Sequence, residues 1–90
     1  MKRILIVEDE FLVAQDLKYT LEEEGFGPVS VASDMESALR EAACNPELAL
    51  VDVNLADGPT GPAVGAKLAD LGTAVVFITA NPRMLQQRIE

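Results

Sequence analysis

Three runs of apolar residues lack the alternation of a half-exposed strand: Ile4-Leu5-Ile6-Val7, Leu48-Ala49-Leu50-Val51 and Ala74-Val75-Val76-Phe77-Ile78. Unbroken runs of this length predict parallel strands, and the first, spanning Lys2 to Val7, has the pattern of one covered on both faces. A shorter and less apolar stretch, Val29 to Ala32, predicts an edge strand. Between these runs the period changes. After Glu8-Asp9-Glu10, Val13, Ala14, Leu17 and Leu21 recur at spacings of three and four, the single buried stripe of a helix that starts in the acidic cluster and ends near Glu24, with Gly25 as its terminator. Ser33-Asp34-Met35-Glu36 has capping-box spacing and predicts a second helix to about Cys44, stopped by Asn45-Pro46. Asp57-Gly58-Pro59-Thr60-Gly61-Pro62 reads as a turn-rich loop, with a turn at Asp57-Gly58, and a third helix is expected from about Pro62 to Leu71, capped by Gly72. A fourth, polar one is expected from about Arg83, with Met84, Leu85 and Ile89 facing inward.

The resulting order, βαβαβαβα, has connections long enough for parallel crossovers and predicts an open α/β sheet. In such sheets ligands bind outside the carboxyl ends of the strands, where the winding direction reverses. The first, third and last predicted strands each end there on a polar group: Glu8-Asp9, Asp52 and Thr79. One shared pocket is therefore expected.

Composition narrows what that pocket can do. Ninety residues make one domain, and no apolar stretch approaches the roughly 20 residues needed to cross a bilayer. Met1-Lys2-Arg3 and the apolar run after it imitate a signal peptide, but Glu8, Asp9 and Glu10 interrupt it too early, so the chain reads as cytoplasmic. Fifteen acidic against seven basic residues give a net charge of -8, which removes the electrostatic term that dominates nucleic-acid affinity. With no histidine and one cysteine, His-based acid-base chemistry, His or thiolate metal sites and an internal disulfide are excluded. Cys44 is expected to be a small buried hydrophobe. Carboxylates and hydroxyls remain.

If the first and third strands are neighbours, Glu8, Asp9 and Asp52 converge. Two unit charges about 4 Å apart repel by roughly 4 kcal/mol at an effective dielectric of about 20, and a divalent cation is the natural compensation. All-oxygen ligation favours a hard ion, and Mg²⁺ is commonly held by one or two carboxylates, waters and a phosphate oxygen. A carboxylate beside Mg²⁺ with a hydroxyl in reach can attack a phosphoryl group and hold it as an acyl phosphate. Taken alone, Asp52 could be a turn residue, Glu8-Asp9-Glu10 a helix-start cluster and Thr79 an ordinary strand end; together, in this topology, they favour a site.

At these residues the sequence resembles the receiver domain of two-component response regulators. Ile4-Leu5-Ile6-Val7-Glu8-Asp9-Glu10, Leu50-Val51-Asp52-Val53-Asn54-Leu55 and Phe77-Ile78-Thr79-Ala80 match its three successive motifs in order, and the likeness covers the whole chain. The resemblance implies a flavodoxin-like sheet with strand order 2-1-3-4 and the fifth strand absent. It implies that Asp52 accepts a phosphoryl group from a sensor histidine kinase or phosphotransfer protein. Mg²⁺ would be held by Asp9, Asp52, the backbone carbonyl of Asn54 and Glu8, the last directly or through water. Thr79 would contact the phosphoryl group and switch with it, and no separate substrate would be turned over.

The chain departs from the family pattern in three places. Ala56 stands where a proline is usual, Gly61 falls one residue later than in the commonest form, and the sequence stops at Glu90, before the fifth strand with its phosphoryl-pairing lysine. Lys2, Lys18 and Lys67 are placed away from the pocket. Residues 1–90 are thus expected to be a receiver domain incomplete at its C-terminus, able to self-associate through an exposed fourth strand and last helix. An output domain or partner beyond Glu90 is compatible with this reading. The alternatives are a receiver-like interaction module that is never phosphorylated, or a Mg²⁺-dependent phosphohydrolase. The latter is disfavoured because Asp52-Val53-Asn54 lacks the second acid such enzymes supply.

Overall fold

The structure, a computed structural model, describes residues 3–53, 55 and 60–78. The elements run β1 (Ile4–Val7), α1 (Phe11–Glu23), β2 (Val29–Ala32), α2 (Met35–Ala42), β3 (Leu48–Asp52), α3 (Gly61–Asp70) and β4 (Ala74–Ile78). The four strands form one parallel sheet in the order β2-β1-β3-β4, with β2 at an edge as its weaker hydrophobicity predicts. Reversal of the winding direction falls between β1 and β3. Their register, Val7 beside Val51, makes Glu8 and Asp52 the next neighbours beyond the ladder.

Why β1 lacks alternation is visible in its surroundings: all four of its residues are buried. Leu5 and Val7 join Ala49, Val51, Val64 and Leu68 in a core beneath α2 and α3. Ile4 and Ile6 pack with Ala14 and Val29 beneath α1, where Leu17 and Leu21 complete the stripe. Each such aliphatic burial contributes about 1.5–3 kcal/mol, so β1 is the most strongly anchored element and carries Glu8 with it. Gly25 (φ 90°) and Gly72 (φ 93°) follow α1 and α3 in the left-handed conformation that closes a helix without a Cβ penalty.

Three local expectations are corrected. The acidic cluster precedes α1 and is not its first turn: Glu8 is still a buried strand-end residue, so the helix starts at Phe11 with Glu10 at its cap position. The second helix is capped by Asp34 and not Ser33. The Asp34 carboxylate accepts the Ser37 amide at 2.8 Å while the Ser37 hydroxyl accepts the Asp34 amide at 3.2 Å, and Glu36 instead faces Arg40 at 3.8 Å on the solvent side. Cys44 is exposed, because α2 ends at Ala42 and Cys44 lies in the turn beyond its buried face. Among the described residues β4 forms the other edge of the sheet, opposite β2. α3 lies against one face, and Val76 and Phe77 are 48% and 49% exposed among the described residues.

The anticipated loop turn at Asp57-Gly58 and the polar helix from about Arg83 lie outside the described residues. Within α3, Leu68 is fully buried whereas Leu71 at its end is exposed. Leu68→Ala is expected to cost about 2–5 kcal/mol and Leu71→Ala less than about 0.5 kcal/mol, read as the difference in urea-unfolding free energy.

Candidate functional site

Two buried strands deliver two carboxylates to the carboxyl edge of the sheet. Glu8 follows β1 directly; its amide donates to the Ala32 carbonyl of β2 at 2.9 Å, which extends the ladder one residue and fixes the start of the side chain. Asp52 is the last residue of β3, in register with Ile78 of β4, and the next amide, that of Val53, donates to the Ile78 carbonyl at 3.2 Å. Both are buried, Glu8 to 2% and Asp52 to 8% exposure, while Asp9 is exposed.

One carboxylate oxygen from each of Glu8, Asp9 and Asp52 lies within 4.8 Å of the others. At that separation each charged pair repels by about 3.5 kcal/mol for an effective dielectric of about 20. Glu8 shows the consequence. Its carboxyl is pushed up to about 7, first by burial, then against the opposing bond from the Glu10 amide, and further by Asp9 and Asp52. The Glu10 amide donates to Glu8 Oε2 at 2.9 Å, but Oε1 is buried with no partner. A buried carboxylate oxygen without a donor costs on the order of 1–3 kcal/mol or more. A cation between the three acids would remove both the repulsion and the orphaned oxygen.

The donor set fits a hard divalent ion. Three carboxylates, with no histidine in the chain, match Mg²⁺, which tolerates few protein ligands and retains water; Asp9 is exposed, which leaves its carboxylate open to water. Of the residues expected in the pocket, the structure brings Glu8, Asp9 and Asp52 together. Asn54 and Thr79 lie outside the described residues.

One close contact at the end of β3 was not legible in the sequence. Gly61, the first residue of α3, is buried against the backbone of Asp52 and Val53. Its place in a loop rich in Gly and Pro marked a turn, but not the close approach that requires it. By contrast, Glu10 belongs to the site only through its amide.

Residues 4–89 match the response regulator receiver domain family. Over 82 residues the chain is 42% identical to the phyllosphere-induced regulator PhyR of Methylorubrum extorquens, covering 88% of this chain and 31% of that protein. Two solved structures align with the fold. The anti-anti-sigma factor PhyR of Bartonella quintana, in complex with the anti-sigma factor NepR, gives a TM-score of 0.82 at 32% identity, over 92% of this chain and 35% of that one. The MaeR response regulator bound to beryllium trifluoride gives a TM-score of 0.77 at 26% identity, over 99% and 77%. The chain therefore spans about a third of the length of its PhyR relatives. With the 2-1-3-4 sheet and the acidic cluster at its carboxyl edge, these matches establish that the chain belongs to the response regulator receiver domain family.

Proposed function

We propose that Asp52 is the phosphoacceptor of a two-component signalling protein, taking a phosphoryl group from a sensor histidine kinase or phosphotransfer protein in a Mg²⁺-dependent reaction. The observation that carries this reading is the convergence of Glu8, Asp9 and Asp52 within 4.8 Å at the topological switch point, with the Glu8 Oε1 atom buried and unpartnered. Mg²⁺, when bound, supplies positive charge that offsets the carboxylates and the phosphoryl oxygens. Asp9, Asp52 and Glu8, the last directly or through water, would hold it, with the Asn54 carbonyl.

An Asp52 carboxylate oxygen attacks phosphorus as the bond from phosphorus to the donor imidazole nitrogen breaks. The electron pair of that bond stays on the imidazole, and an acyl phosphate is left on Asp52. Burial by the flanking strands holds the attacking carboxylate in place, and positioning with charge neutralisation accounts for most of the acceleration in phosphoryl transfer. Thr79 would donate its hydroxyl to a phosphoryl oxygen and move with it. The gain of about -1.5 to -2 charge is enough to bias a two-state loop. The beryllium trifluoride on the related MaeR supports this reading, since that group resembles a phosphoryl group in shape and charge when bound to oxygen.

In this reading the domain is a switch and not an enzyme with a separate substrate, and it acts through a protein partner. The complex of PhyR with an anti-sigma factor supports a partner of that kind for the full-length protein. The half-exposed Val76 and Phe77 on β4 support self-association as a further contact. No helix among the described residues is long and apolar enough to cross a membrane, and a cytoplasmic location belongs to the same proposal.

In the full-length protein, Mg²⁺ and acetyl phosphate are expected to add the mass of one phosphoryl group, labile at alkaline pH and abolished by Asp52→Asn. Intact-mass spectrometry reads it. An unmodified protein would favour an interaction module that is never phosphorylated, and rapid turnover of generic phosphate esters would favour a hydrolase.

The raised Glu8 carboxyl predicts two pH effects. Cation binding must displace its proton, so Mg²⁺ affinity is expected to rise by up to about tenfold per unit below about pH 7 and to level off above it, measured by isothermal titration calorimetry. Without metal, the folded state binds more protons than the unfolded state between about 4.5 and 7. The Glu8 contribution to stability is therefore greatest below that window and is lost as pH rises through it, by about 3 kcal/mol in all. Glu8→Gln should abolish that slope in metal-free buffer and unfold at a higher urea concentration than wild type at about pH 8; a slope retained in the variant would contradict the assignment.

A further inference from the structure

We infer that Gly61 is a positioning residue for the phosphoacceptor: the absence of a side chain at the first position of α3 sets where the Asp52 carboxylate lies relative to Glu8 and Asp9. The inference rests on the reading of Asp52 just given. A methyl group built on Gly61 overlaps the carbonyl oxygen of Asp52, and it lies 2.6 Å from Cα and 2.8 Å from the carbonyl carbon of Val53. All three atoms are backbone, so no rotamer change relieves the contact.

Two movements could make room. α3 could lift, but Val64 and Leu68, fully buried beneath it, hold it to the sheet. Alternatively the Asp52–Val53 peptide could shift, and this is the weaker point, because the chain leaves the β3 ladder at Val53. That peptide lies between two constraints: the Gly61 backbone on one side and, on the other, the bond from the Val53 amide to the Ile78 carbonyl at 3.2 Å. Any displacement there is carried into the Asp52 side chain. Glu8, anchored on the fully buried β1, does not follow. A shift of about 1 Å in a reacting group costs about 10²-fold in rate, and it also widens a ligand set now gathered within 4.8 Å.

The same helix provides its own control. Gly65, one turn further on, is also tight, but against side chains: the Phe77 ring, which a methyl group would overlap, and Val75 Cγ1 at 3.3 Å. Phe77 is a half-exposed side chain that can rotate away. Gly65→Ala therefore perturbs packing without moving Asp52.

The test compares wild type, Gly61→Ala and Gly65→Ala in the full-length protein. Fold is read by circular dichroism and urea unfolding, Mg²⁺ affinity by calorimetry with the metal alone, and phosphorylation rate by intact mass with acetyl phosphate. The expected result is a folded Gly61→Ala protein that binds Mg²⁺ at least about tenfold more weakly and is phosphorylated about 10²-fold more slowly. Gly65→Ala should stay within about twofold of wild type on both readouts, whatever stability it loses. Near-wild-type metal binding and phosphorylation in Gly61→Ala would overturn the inference. So would losses in both variants that merely track stability, or a Gly61→Ala protein that stays unfolded in about 1 M trimethylamine N-oxide, an osmolyte that strengthens burial; the role would then be one in folding. If wild type itself takes no phosphoryl group, the phosphoacceptor reading fails, while the Mg²⁺ comparison still decides the role of Gly61.

Discussion

Parallel pairing of β1 with β3 is the constraint on which the site depends. Both strands are drawn into the middle of the sheet by their apolar side chains, and the register that places Val7 beside Val51 leaves Glu8 and Asp52 adjacent at the carboxyl edge. For Glu8 that position carries a cost. Burial raises the Glu8 carboxyl to about 7, and one of its oxygens has no donor. Hydrophobic burial of β1 and β3 outweighs this local cost, and the surplus is stored as an unmet demand for positive charge. Three carboxylates gathered within 4.8 Å repel one another, and a cation would offset that repulsion.

Much of this could be read from residue pattern. Unbroken apolar runs identified β1, β3 and β4, the weaker Val29–Ala32 run identified an edge, and the carboxylates at strand ends identified the pocket. What escaped was set by contacts rather than by periodicity. Whether Ser33 or Asp34 caps α2 is decided by one bond, from the Ser37 amide to the Asp34 carboxylate, and both residues are good caps. Cys44 faces solvent because α2 ends two residues short of it, a boundary that propensity does not resolve. Glu8 looked like a helix-start acid and is a buried strand-end group, since strand and helix patterns overlap at that point.

Gly61 shows the same limit more sharply. A glycine in a loop of glycines and prolines reads as a turn residue chosen for its backbone freedom. Here its conformation is ordinary and the requirement comes from outside: the carbonyl of Asp52 occupies the space a Cβ would take. Close approach between segments distant in sequence leaves no mark in local pattern. It becomes visible only when α3 is seated against the end of β3.

The most direct measurement of the central claim is the location of the phosphoryl group itself. Borohydride reduces an acyl phosphate on aspartate to homoserine, which peptide mass spectrometry locates by position. After phosphorylation of the full-length protein by a histidine-kinase donor, homoserine is predicted at position 52. Homoserine at position 9, or none at all in a protein that carries phosphate elsewhere, would contradict the account.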